Sequence, residues 1–153
     1  MIHSERVKSL RSGIFEGKSV LYWMIREKRS SDNWSLISAQ KVALKNKVPL
    51  YVCFQYLGNF PESNSRQYKF LFKGLLQLQE ALNKKNITFI FLKGKASEVI
   101  PKLIYDKCIG TVIVDYSPLK IYKNRIQSVL GKINIPFFQV DAHNIVPIWR
   151  SSG

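Results

Sequence analysis

The sequence predicts an open α/β sheet: three layers, with five parallel strands in the middle and helices on both faces. Three observations predict it. Five short apolar runs, rich in β-branched and aromatic residues, recur along the 153 residues. Four segments with apolar residues at helical spacing separate them. The runs are apolar almost throughout rather than alternating, as strands buried on both faces must be. Strand–helix alternation with right-handed crossovers then closes a parallel sheet between two helical layers. The spacing is too regular for segregated strands and helices, and the chain is too short for an eight-stranded α/β barrel.

Residues 1–17 read as an arm with no period, from which Val7 and Leu10 could pack on the body and Arg6 and Arg11 could find partners. The first strand is Ser19 to Met24. A charged turn ends it, and Ser31 or Asp32 can cap a helix from about Asn33 to Lys47. The second strand runs from Val48 to Phe54, where Pro49 can sit only at the start. Gly58, Pro61 and Asn64 mark a loop from Gln55 to Ser65. A long helix follows, about Arg66 to Lys85, with Tyr68, Leu71, Phe72, Leu75, Leu78 and Leu82 on one face. The third strand is Ile87 to Leu92; Gly94 turns the chain, and Ser97 can cap a helix reaching Cys108. The fourth strand is Gly110 to Asp115. Pro118 suits the first turn of a helix from Leu119 to Leu130, with Gly131 near its end. The fifth strand is Ile135 to Asp141.

Composition narrows the functional classes. No apolar run reaches the roughly 18 to 20 residues of a membrane span. The first residues, MIHSERVKSLRSG, contain no apolar signal-peptide core, so the expected location is cytoplasmic. Cys53 and Cys108 both sit in apolar segments and read as buried thiols. With only His3 and His143 far apart beside them, no zinc site is expected. The formal net charge of +14 suits a polyanionic partner such as nucleic acid. The lysines are scattered, however, and the same charge is compatible with an ordinary solvated surface.

The carboxyl ends of the strands carry the candidate chemistry. In open α/β sheets, ligands bind where the strand order reverses. The loop after the first strand offers Arg26, Lys28 and Arg29, which can hold an anion. It has no glycine and is neither a dinucleotide fingerprint nor a P-loop. Asp115, Tyr116, Ser117 and Pro118 follow the fourth strand. Asp115 could accept hydrogen bonds from a ribose, a ribityl chain or a ring nitrogen, while Ser117 could simply cap the next helix. Trp23, Tyr51, Phe54 and Tyr116 could stack a flat ligand or merely pack the core. His143 reads as structural or interfacial. Trp149 either folds back on the sheet edge or faces another domain. No paired carboxylates and no nucleophile–base arrangement appear.

Four segments also carry a resemblance: YWMIREKRSSDNW, RQYKF followed by GL, DYSPL, and VDAHNIVPIW. In order and spacing the chain resembles the class II cyclobutane pyrimidine dimer photolyases. Tyr22-Trp23-Met24, Arg26, Arg29 and Asp32-Asn33-Trp34 fill the first motif; Glu27-Lys28 stands where the family usually has Asp-Gln. The resemblance implies the Rossmann-like N-terminal α/β domain, residues 18–142, followed at 143–153 by the start of a linker to a helical domain. In the family that domain holds FAD, flips the pyrimidine dimer from DNA and splits it by light-driven electron transfer. This chain alone is then not expected to catalyse. The family's α/β domain can hold an antenna, a deazaflavin or a reduced folate, which passes excitation to FAD. By position the resemblance implies Trp23, Met24, Arg26, Phe54, Asp115, Ser117 and Pro118 as antenna residues. It places Arg29, His143, Asn144 and Trp149 toward the helical domain, on a face that could also support dimerisation. Two other readings stand beside it: a free-standing nucleotide- or flavin-binding module, and a small basic DNA-associated protein.

Overall fold

The computed structural model describes residues 6–25, 30, 33–57 and 65–141, without the side chains of residues 65–68. The described residues form six strands and four helices. They run β1 (Val7–Arg11), β2 (Ser19–Met24), α1 (Trp34–Asn46), β3 (Leu50–Tyr56), α2 (Ser65–Asn83), β4 (Thr88–Lys93), α3 (Ala96–Asp106), β5 (Ile109–Asp115), α4 (Lys120–Leu130) and β6 (Phe137–Val140). One sheet contains all six strands in the order β1-β6-β5-β2-β3-β4. The five expected strands are its five parallel strands. The sixth, β1, lies in the stretch read as an arm and pairs antiparallel to β6, with Val7 opposite Val140. An edge strand of five residues with half its side chains in solvent leaves no periodic pattern, and its partner is more than a hundred residues away. Arg6 and Arg11 both find backbone carbonyls: Nη1 of Arg6 donates to Asp141 O at 3.0 Å, and Arg11 donates to Ile133 O.

Strand alternation divides the core in two. Val20, Tyr22 and Met24 of β2 join Val52, Phe54 and Ile113 under α1 and α2. Leu21, Trp23 and Ile25 join Cys53, Val112, Val114 and Phe137 under α3 and α4. Every residue of β2 is buried, because it has a strand on each side and a helical layer on each face. The approach to β2 is tight. A Cβ on Gly17 would come within 2.5 Å of the Gly110 backbone, and one on Gly110 would strike the Phe15 ring at 2.5 Å. Both positions need glycine because backbone and ring occupy the space a side chain would take.

Three local expectations shift. Asn33, not Ser31 or Asp32, is the N-cap of α1, with its Oδ1 accepting from Leu36 N at 3.1 Å. Lys95, not Ser97, is the N-cap of α3, so Ser97 is already helical. Leu119 is the N-cap of α4, which leaves Pro118 just before the helix. Cys53 is buried as expected, but Cys108 is exposed, in the turn between α3 and β5 with φ 51°.

Candidate functional site

The strand order reverses at β2. The chain goes from β2 to β3 and β4 on one side, then crosses to β5 and β6 on the other. The carboxyl ends of β2 and β5, read as two loops that share a crevice only if the order reverses between them, are adjacent strands here, with Trp23 level with Val114. This is the switch-point geometry of open α/β sheets.

A buried polar network ties the corner together. Asp115, 1% exposed, ends β5. Its Oδ1 accepts from the Tyr22 hydroxyl at 2.7 Å, and its Oδ2 accepts from the Ile25 amide at 2.8 Å. The Tyr22 oxygen in turn accepts from Asn33 Nδ2 at 3.1 Å, and Asn33 caps α1. One carboxylate therefore fixes the end of β2, the end of β5 and, through Tyr22, the start of α1. Burial pushes the Tyr22 phenol well above its ordinary pKa, and the Asp115 charge adds to the rise. Tyr22 stays a protonated donor throughout the neutral range.

The predicted residues divide into those that meet and those that do not. Trp23 and Met24, each 1% exposed, point to opposite faces of the sheet and fill opposite halves of the core. Asp115 lies between them in the network just described. Phe54 packs on the Met24 side, its ring 6.3 Å from that of Phe91, one strand further from the corner. Ser117 is buried and accepts from Leu119 N at 3.3 Å, which closes the turn before α4 rather than capping the first turn of the helix. Pro118 is exposed. Arg26, Arg29, His143, Asn144 and Trp149 lie outside the described residues.

The first amides of α4 receive no side-chain cap, and Leu119 and Ile121 around them are 57% and 54% exposed. An uncapped helix start beside exposed apolar groups suits a flat ligand with a negative group. The residues sequence reasoning missed are Tyr22 and Asn33. Tyr22 was hidden inside an apolar run. The signal was its hydroxyl, which must find a partner once buried. A separate cavity of about 440 Å³ lies at the opposite end of the sheet, between the end of α1 and the starts of β3 and β4, with Lys41, Pro49 and Asn86 in its wall. It contains no carboxylate, and it lies away from the strand ends where such folds bind ligands.

Comparison with known proteins adds an independent line. A sequence model of the family described as DNA photolyase matches residues 20–152. The chain is 38% identical over 139 residues to a deoxyribodipyrimidine photo-lyase of Potorous tridactylus, covering 90% of this chain and 26% of the relative. It is 32% identical over 155 residues to one of Arabidopsis thaliana, covering 97% of this chain and 31% of the relative. The chain thus spans between a quarter and about a third of the length of these relatives. In three dimensions it is similar to a cryptochrome of Synechocystis sp. PCC6803, with a TM-score of 0.65 at 18% identity, over 74% of this chain and 24% of the other. It is also similar to a bacterial class III photolyase of Agrobacterium tumefaciens, with a TM-score of 0.64 at 20% identity, over 86% and 27%. At those identities the structures speak to the fold.

Proposed function

The chain belongs to the DNA photolyase family, and from that premise we propose that it is the antenna domain of a class II enzyme that repairs pyrimidine dimers in DNA. The observation that carries this reading is the 2.7 Å bond from Tyr22 to Asp115. It joins the YWM…DNW segment to the DYSPL turn, two of the segments on which the class II resemblance rests, at the one place in the sheet suited to a ligand. A deazaflavin or reduced folate held there absorbs light and passes the excitation on to FAD. In this reading Arg26 pairs with an anionic group of the chromophore. The uncapped start of α4 and the exposed Pro118 line the rim. Trp23, Met24, Phe54, Asp115 and Ser117 make the floor, with Asp115 acting through Tyr22 and Ile25 rather than by touching the ligand.

FAD and the pyrimidine dimer belong to a helical domain of the same enzyme, and Arg29, His143, Asn144 and Trp149 face it. The charge of +14 steers the assembly toward DNA. The setting we expect is the cytoplasm; among the described residues no helix is long and apolar enough to cross a membrane.

The test is an absorption spectrum of the purified chain after mixing with a deazaflavin or a reduced folate and gel filtration. We expect a retained near-ultraviolet or visible band, weakened several-fold or more by Arg26→Ala. If neither compound is retained, the antenna reading falls. The net charge also favours a second reading, a basic DNA-associated protein. It requires binding to short duplex DNA that weakens steeply with salt, and undetectable binding at low salt rules it out.

A further inference from the structure

Strand β4 is the outer strand of the sheet and, among the described residues, pairs only with β3. Natural edge strands are usually blunted by proline, bulges or central charges. Here Thr88-Phe89-Ile90-Phe91-Leu92-Lys93 has no proline, and its single charge is at the last position. Its register with β3 runs unbroken from Tyr51–Thr88 to Tyr56–Lys93, so no bulge twists the edge away. Beside it a cavity of about 160 Å³ lies between helix and strand, lined by Phe72, Leu75, Leu76, Gln79, Phe89 and Phe91. Leu76 is 62% exposed, Phe91 39% and Phe72 38%.

We infer that this edge is a homodimer interface, where β4 pairs antiparallel with β4 of a second copy to make one continuous sheet. Self-complementarity selects a second copy as the occupant. A two-fold axis through the sheet brings together only residues on the same face. Phe89 and Phe91 lie on the α2 face, while Ile90 and Leu92 pack on the other. Centring the axis on Ile90 places Phe89 opposite the partner's Phe91 twice over, and Ile90 opposite its own copy. Lys93 then faces the partner's Ile87, so no like charges meet. Aromatic and β-branched cross-strand pairs of this kind stabilise sheets.

The helix above agrees with the strand. The Phe72 and Phe91 rings are 5.6 Å apart, which fixes the level of α2 over β4. Lys73, Leu76 and Glu80 follow at helical spacing along the flank of α2, a basic group on one side of Leu76 and an acidic group on the other. Turned about the same axis, two α2 helices run antiparallel. Leu76 approaches its copy, and Lys73 approaches the partner's Glu80 on both sides.

The test uses the whole 153-residue chain. In sedimentation equilibrium we expect a concentration-dependent dimer. Lys73→Glu, on an exposed helix position, should weaken it by about tenfold, and Lys73→Glu with Glu80→Lys should restore it to within about twofold. In a Cys108→Ser background, Ile90→Cys should form a covalent dimer under mild oxidation, and Lys93→Cys should not. A monomer at about 100 μM overturns the inference. So does a dimer indifferent to Lys73→Glu, or cross-linking at 93 as ready as at 90. Chromophore retention is read separately, so this result and that of the antenna reading stand or fall independently.

Discussion

Strands β2 and β4 are each six residues long and made largely of apolar side chains, yet every residue of β2 is buried while β4 mixes exposed and half-buried positions. Composition does not separate them; their neighbours in the sheet do. β2 has a strand on each side, so its polar atoms must be satisfied internally, and Tyr22 and Asp115 satisfy each other. β4 has a strand on one side only. Its aromatic rings gather into a surface group of Tyr56, Phe72 and Phe91. The centre is thus specified by buried hydrogen bonds and the edge by apolar surface. A ligand site belongs to the first kind of region and an association surface to the second.

Substitution can break that contrast. Trp23→Ala removes a fully buried indole, and we expect a loss of about 3–5 kcal/mol in a urea titration. A loss below about 1 kcal/mol would mean the centre is not the rigid part. Asp115→Ala leaves Tyr22 and the Ile25 amide buried without their acceptor, and should cost about 2–3 kcal/mol. Phe91→Ala at the edge should cost only about 1–2 kcal/mol, because its ring is already 39% exposed. A cost equal to that of Trp23→Ala would erase the distinction. Gly74→Ala gives the smallest effect, of opposite sign. A Cβ there meets nothing within 4 Å, so the change should stabilise by roughly 0.5–1 kcal/mol through helix propensity.

Alkaline pH sharpens the comparison from another side. Burial raises the folded pKa of Tyr22 above the usual 10, and it pushes the Cys53 thiol upward from its usual 9.0. In the unfolded chain both groups release their protons near those ordinary values, while in the folded chain they keep them. Stability contributed by the protonated forms is therefore complete below about pH 9 and declines as pH rises beyond it, first through Cys53 and then, above about 10, through Tyr22. Tyr22→Phe should flatten the part of the decline above pH 10 in urea midpoints; an unchanged slope would place the Tyr22 hydroxyl in contact with water.

Much of this could be read from the residues. β2 was legible to the residue because a run buried on both faces needs no context. The parallel strands and all four helices followed from period and spacing. Helix starts were harder. Ser31, Asp32 and Asn33 are all good caps, and only the contact of Asn33 with Tyr22 decides among them. β1 was illegible because five residues on an edge have no pattern of their own. At the corner, sequence order put Asp115 and the end of β2 near one crevice, but it could not show the carboxylate already engaged. That depends on a register between strands 90 residues apart.

The pairing of Val7 with Val140 has a consequence for how the molecule is made. On a ribosome the first strand emerges early and has nothing to hold it until the last one has been synthesised. The interior strands can assemble in the meantime, and the sheet is finished by its earliest-made piece docking at the end. The same proximity brings the start and finish of the sheet to one margin. A short peptide joining them, with a new opening cut in an exposed turn elsewhere, should give a circularly rearranged chain that still folds.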